Sequence, residues 1–228
     1  MFEIDLPELE FIAADLVPRP VLLAKSDSSP VSGRIKIGRP EVRVITAQSV
    51  SDEASQRFLR GQAMYKRYTL VAFAANFYPG DDPFEKGKVT VLLQNLDGAE
   101  PPVARCLAPV RSASPVEQVT KVSVDADLKV IRLGVEHERR SEKERIFVEA
   151  AGEGCEDPEW SYWATGAHKL TGIQQMAFIA ETPAGAAFTA DIGLAATLRT
   201  HRFGPRDYRA RVLDCKITIP PAARHPMP

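Results

Sequence analysis

The stretch from Glu156 to Leu170, EDPEWSYWATGAHKL, gathers the residue types from which a carbohydrate platform is built. Trp160 and Trp163 offer aromatic faces. Glu156, Asp157, Glu159 and His168 offer polar groups beside them. Centred on Trp160, Glu159 and His168, the same group could serve a hydrolase acting on a sugar or an ester. The spacing argues against all of these rings sharing one surface. Trp160 and Tyr162 share one strand parity, and Ser161 and Trp163 share the other. At least one tryptophan is therefore expected in the core, because aromatic side chains carry the largest apolar area per residue. His168, followed by Lys169 and close to Gly166, reads as a surface residue beside a turn.

A second chemistry lies near the carboxyl end. Arg202, Arg206, Arg209 and Arg211 are interleaved with Phe203 and Tyr208, a pattern that can hold phosphates and stack bases. The charge elsewhere weakens that reading. From Glu136 to Glu159 there are nine acids against four bases, and from Arg199 to Pro228 seven bases against two acids. The two blocks cancel in a net charge of −1, and the acidic block would repel a long polyanion. Two opposed blocks suit a contact with a protein partner or a second copy. The basic face would be Arg202, Arg206, Arg209 and Arg211. The acidic face would be Glu138, Glu142 and Glu144.

Other chemistries lack their signatures. His137, His168, His201 and His225 stand apart, with no Cys-x-x-Cys and no His-Glu-x-x-His, so no metal is expected. No glycine-rich phosphate loop and no Gly-x-Ser-x-Gly elbow is present, so no nucleotide cofactor is expected either. Asp81, Asp82 and Glu85 offer too few oxygens for calcium, and Pro79-Gly80-Asp81 is explained as turn chemistry. Cys155 is flanked by Glu153, Glu156 and Asp157, whose charge suppresses a thiolate. Cys215 falls within a strand pattern and reads as core.

The chain of 228 residues, 44% hydrophobic and 26% charged, suits one large domain with a sizeable core. Its three cysteines, Cys106, Cys155 and Cys215, are few and scattered, which fits a reducing compartment. The acidic start MFEIDLPELE lacks the basic, apolar design of a secretory signal, and no apolar run is long enough to span a membrane. A cytoplasmic protein of bacterial type is the expectation.

Elements must position these residues. Prolines and serines mark residues 1–38 as an extended arm, followed by a domain over 39–219 and a tail over 220–228. Ser51, Asp52 and Glu53, then Arg57, Arg60 and Gly61, predict a helix of about ten residues with charges that suit its dipole. Everything else reads as strand. Tyr68–Phe77 is apolar on both faces. Val89, Val91 and Leu93 share a face. Phe188, Ala190, Ile192, Leu194, Ala196 and Leu198 alternate with mostly polar or small neighbours. About ten strands joined by short connections predict an all-β, antiparallel two-sheet β-sandwich, with a barrel as the second choice. The expected role is a non-catalytic binding or assembly module acting through its charged faces. A hydrolase or carbohydrate-binding domain at Trp160–His168 is the alternative, and nucleic-acid binding the third.

Overall fold

A strand that is apolar on both faces has to be covered on both, and the arrangement of the chain follows from that requirement. In a computed structural model of the protein the doubly apolar run is the centre of strand β5 (Lys66–Tyr78). The structure describes residues 2–5, 11–18, 34–96, 98, 100–115, 121–124, 146–200, 204–211 and 216–220; residues 2–5, 11–18, 121–124, 200, 204–211, 216 and 217 are described by backbone alone. The other strands are β1 (Phe2–Asp5), β2 (Phe11–Pro18), β3 (Arg34–Gly38), β4 (Glu41–Ile45), β6 (Phe84–Asn95), β7 (Val103–Ala108), β8 (Arg111–Ser112), β9 (Lys121–Val124), β10 (Val148–Ala151), β11 (Glu159–Trp163), β12 (Gly172–Pro183), β13 (Phe188–Thr200), β14 (Gly204–Arg211) and β15 (Lys216–Ile219). One α-helix, α1 (Glu53–Gln62), and one 3-10 turn, Ala47–Ser49, accompany them.

Every pair among the described strands is antiparallel, and the fold is the expected two-sheet sandwich. The first sheet runs β7-β12-β5, with β3 and β4 end to end along the far edge of β5. The second runs β13-β6-β11-β10-β8, with β14 and β15 end to end along the outer edge of β13. Strand β2 joins them: Phe11–Ala14 pairs with β3, and Asp15–Pro18 pairs with β14. At the opposite side β7 leads directly through Pro109 into β8, so the chain passes from one sheet to the other there too. Strands β1 and β9 form a separate ladder.

Between the sheets lies the main core. Val71, Phe73 and Phe77 of β5 meet Val89, Val91 and Leu93 of β6 and the six alternating apolar residues of β13. Gly87 gives the ring of Phe77 its place, because a Cβ there would lie 2.7 Å from that ring. The opposite face of β5, Tyr68, Leu70 and Ala72, is covered by Val50 and by Leu59 and Phe58 of α1, which supply the second layer that β5 demands. The cap of that helix is Asp52 rather than Ser51. Its carboxylate accepts the backbone N–H of Ser55 at 2.8 Å and the Ser55 hydroxyl as well, and these bonds hold its pKa below the ordinary value. Gly61 lies inside the last turn instead of beyond it.

Two irregularities shape the first sheet. Strand β7 slips between Arg105, opposite Ile179, and Ala108, opposite Ala177. Cys106 sits there at φ 56°, a left-handed conformation that bulges allow, and its side chain is turned into the helix-covered layer. Along β5, the register changes by one residue between β3 and β4, across Gly38, Arg39 and Pro40. Proline fits such a break because it brings no N–H to a ladder. Ile35 and Ile37, within the span read as an arm, are buried in the core.

Candidate functional site

Strand β4 has a partner on one side only among the described residues. Ile45 anchors it beneath the helix, and Val42 packs partly against the main core. Val44, on the same face as Val42, is 41% exposed. Glu41 and Arg43 share the opposite face, and the Arg43 guanidinium donates to the Glu41 carboxylate at 3.0 Å. Along that edge Phe11, the first residue of β2, pairs with Gly38 just ahead of β4, and β2 crosses to β14 at the other end of β3, past Ile35. An edge that pairs on one side only among the described residues, with charges on one face and valines on the other, has the character of a surface where backbone pairing can be added.

The sequence-predicted residues fall elsewhere. Trp160 is completely buried, with Phe73 edge-on at 5.7 Å and Phe178 at 6.3 Å between ring centres. It is a core residue and not a surface platform. Tyr162 is buried beside Phe147, and burial drives its hydroxyl pKa far upward. Trp163 points to the other side, half-buried, with the Lys86 ammonium 5.5 Å from its ring centre. On that outer face Glu159 pairs with Lys88. His168 closes the following turn: its N–H donates to the Thr165 hydroxyl at 2.9 Å, its carbonyl accepts the Thr165 N–H, and its ring rests edge-on near Phe147. Trp160, Glu159 and His168 are therefore not brought together around one opening.

Glu156 borders a shallow concavity of about 440 Å³, lined also by Leu92, Gln94, Asn95 and Pro101. Glu85 pairs with Arg199 at 2.7 Å, and Cys155 is exposed. No cluster of three metal-ligating side chains occurs among the described residues. Arg202, Glu138, Glu142 and Glu144 lie outside the described residues. Arg206, Arg209 and Arg211 lie on β14, which is described by backbone alone, opposite Leu198, Ala195 and a position beyond the β13 pairing.

A charged cluster that the sequence did not reveal sits on the helix-covered side of the first sheet. Glu181, opposite Tyr68, accepts from Arg105 at 3.1 Å and pairs with Lys66. Burial pulls its carboxyl pKa upward, but the bonds from Lys66 and Arg105 outweigh it and leave the net shift downward. The hydroxyl of Tyr68 is pushed up to about 12, by burial first and by the nearby Glu181 second. Because the Glu181 shift is downward, its contribution is present above the ordinary value of 4.5 and fades as the pH falls below it. Glu181→Gln should cost about 1 kcal/mol at neutral pH, since both cations are partly exposed and screened. Urea melts at neutral pH and near pH 3 should show the gap between variant and parent closing at the lower value; an unchanged gap would contradict the pairing.

No family model matches the chain, and no curated protein does. Among solved structures it is similar to Clostridium perfringens delta-toxin, at 8% identity over 92% of this chain and 88% of that one, with a TM-score of 0.27. No described helix is long and apolar enough to cross a membrane, which leaves β-strand insertion unaddressed.

Proposed function

We propose that the chain is a non-catalytic binding or assembly module that joins a protein partner or a second copy of itself through complementary charged faces. The observation that carries this reading is the edge of β4, which pairs on one side only among the described residues. The opposed charge blocks add support. The acidic block around Glu138, Glu142 and Glu144 and the basic block of Arg202, Arg206, Arg209 and Arg211 give the chain two segments of opposite charge. Charges at a rim steer and select a partner more than they hold it. In this reading the backbone edge supplies the contact and the charges supply its choice. The scattered cysteines fit work in a bacterial cytoplasm as an accessory protein.

Sedimentation velocity at low salt should show self-association, or binding to a protein encoded nearby. Raising the salt to 1 M shrinks the screening length to about 3 Å and should weaken the contact. Arg206→Glu combined with Arg209→Glu should weaken it at least several-fold at low salt. A monomer at every salt concentration that also ignores its genomic neighbours would refute the proposal. Tight, salt-sensitive binding to single-stranded nucleic acid would replace it with the arginine-stacking alternative.

A further inference from the structure

The two most exposed large apolar residues among the described ones are neighbours in sequence. Met64 is 77% exposed and Tyr65 69%, ahead of Leu96 at 52%. Both stand on the turn that joins α1 to β5. The backbone of that turn is pinned. The Tyr65 N–H donates to the Gln62 carbonyl at 2.8 Å, and the Tyr65 carbonyl accepts the Ala184 N–H at 2.9 Å. The fold thus fixes this turn while holding two large side chains out in water. Single exposed apolar residues are ordinary, but an adjacent pair on a pinned turn forms a patch. Its surroundings are cationic. The exposed side of α1 runs through Arg57 and Arg60 toward Met64, by the three- and four-residue steps that share a helix face. Arg57 pairs with Glu53, whereas Arg60 donates to the neutral amide of Gln56, which leaves its charge uncancelled. On the other side of the pair, Lys66 and Arg105 share the single carboxylate of Glu181.

We propose that the α1–β5 turn docks on an anionic lipid surface, with Met64 and Tyr65 entering the interface and Arg57 and Arg60 meeting the headgroups. Exposure as high as theirs means that the two side chains project and do not line a groove. A protein contact needs about 800 Å² of fitted surface on each partner, of which a projecting pair supplies a small part. A bilayer needs no fitted counterpart. A tyrosine ring suits the headgroup level, an unbranched methionine side chain suits the acyl boundary, and arginines beside them are drawn to anionic lipid. The contact is peripheral and reversible, because two side chains and a few charges do not anchor a protein permanently. It does not rest on the assembly reading, whose test at Arg206 and Arg209 leaves these residues untouched.

The test uses the full chain and two kinds of vesicle, phosphatidylcholine alone and phosphatidylcholine mixed in equal parts with phosphatidylglycerol. The protein should sediment with the mixed vesicles and not with phosphatidylcholine alone, and added salt should weaken the binding. Met64→Ser combined with Tyr65→Ser should lower the bound fraction about fivefold or more, with an unchanged circular dichroism spectrum and melt. Arg57→Gln combined with Arg60→Gln should lower it about threefold or more. Tyr65→Trp should keep the binding, and its added emission should move to shorter wavelength when mixed vesicles are supplied. Failure to sediment with mixed vesicles, binding that survives the serine pair, or a Tyr65→Trp emission that does not move overturns the proposal. If the serine pair instead weakens self-association while vesicles are ignored, the turn is a protein contact and the lipid assignment falls.

Discussion

Trp160→Ala is expected to lower the unfolding free energy by about 3–5 kcal/mol, the usual range for deleting a buried aromatic ring. The indole is wholly enclosed and contacts rings from two other strands, Phe73 on β5 and Phe178 on β12. It thus ties the second sheet to the first, and its loss leaves a cavity that neighbouring rings cannot fill. Its N–H has no partner among the described residues. Trp160→Phe, which removes that donor and keeps a ring, should therefore cost clearly less than alanine. Trp163→Ala should cost about 1 kcal/mol or less, since its ring is half-exposed and held by a single lysine. Denaturant melts of the three variants measure this. Equal losses at Trp160 and Trp163 would contradict the burial of one and the exposure of the other.

Arg67→Ala should be the next most damaging change, at about 2–4 kcal/mol. Arg67 is a charged residue inside the sandwich, 6% exposed. Its guanidinium donates to the carbonyls of Ala186 and Pro220, both at 2.7 Å, and lies 5.9 Å from the ring centre of Phe188. Burial lowers its pKa, yet an arginine so placed stays charged. Alanine would leave two carbonyls without their donor and open space beside Phe188. Arg67→Met refills the space without the bonds and should recover only part of the loss. Because Pro220 directly follows β15, hydrogen exchange at Ile219 should accelerate in both variants more than exchange in β12. Uniform acceleration would show that the guanidinium does not specifically hold the last strand.

The elements themselves were legible where one residue's side could be inferred from its neighbours. The alternation of β13 gave its inward face, and the doubly apolar β5 announced that something must cover it twice. The helix followed from its charges, although the stronger acceptor, Asp52, took the capping place from Ser51. Glu159 and Ser161 share the parity of Trp163, so that face was already polar, and Trp160 with Tyr162 had to be the buried pair. What sequence could not supply was partnership. The β5–β12 and β6–β13 ladders and the Lys66–Glu181–Arg105 cluster all depend on which distant strands become neighbours. Local periodicity carries no information about that. The bulge at Cys106 was equally hidden, since its left-handed backbone falls on a residue that gives no glycine signal.

Strands β5 and β6 lie in different sheets, as do β12 and β13, so the core consists of two arches. Each ladder of one arch is completed by the other. Paired residues in those ladders are roughly a hundred positions apart in sequence, which places this chain among those that must close long loops before gaining contacts. Translation proceeds at about 5–20 residues per second. The first arch, with a strand apolar on both faces, therefore waits on the order of 5–20 s before its counterpart has been synthesised. During that interval β5 has β3, β4 and the helix but not β12, and β6 lacks β13. Until then the side of β5 that faces the second sheet stays uncovered, although in the finished molecule it is buried along its whole central length.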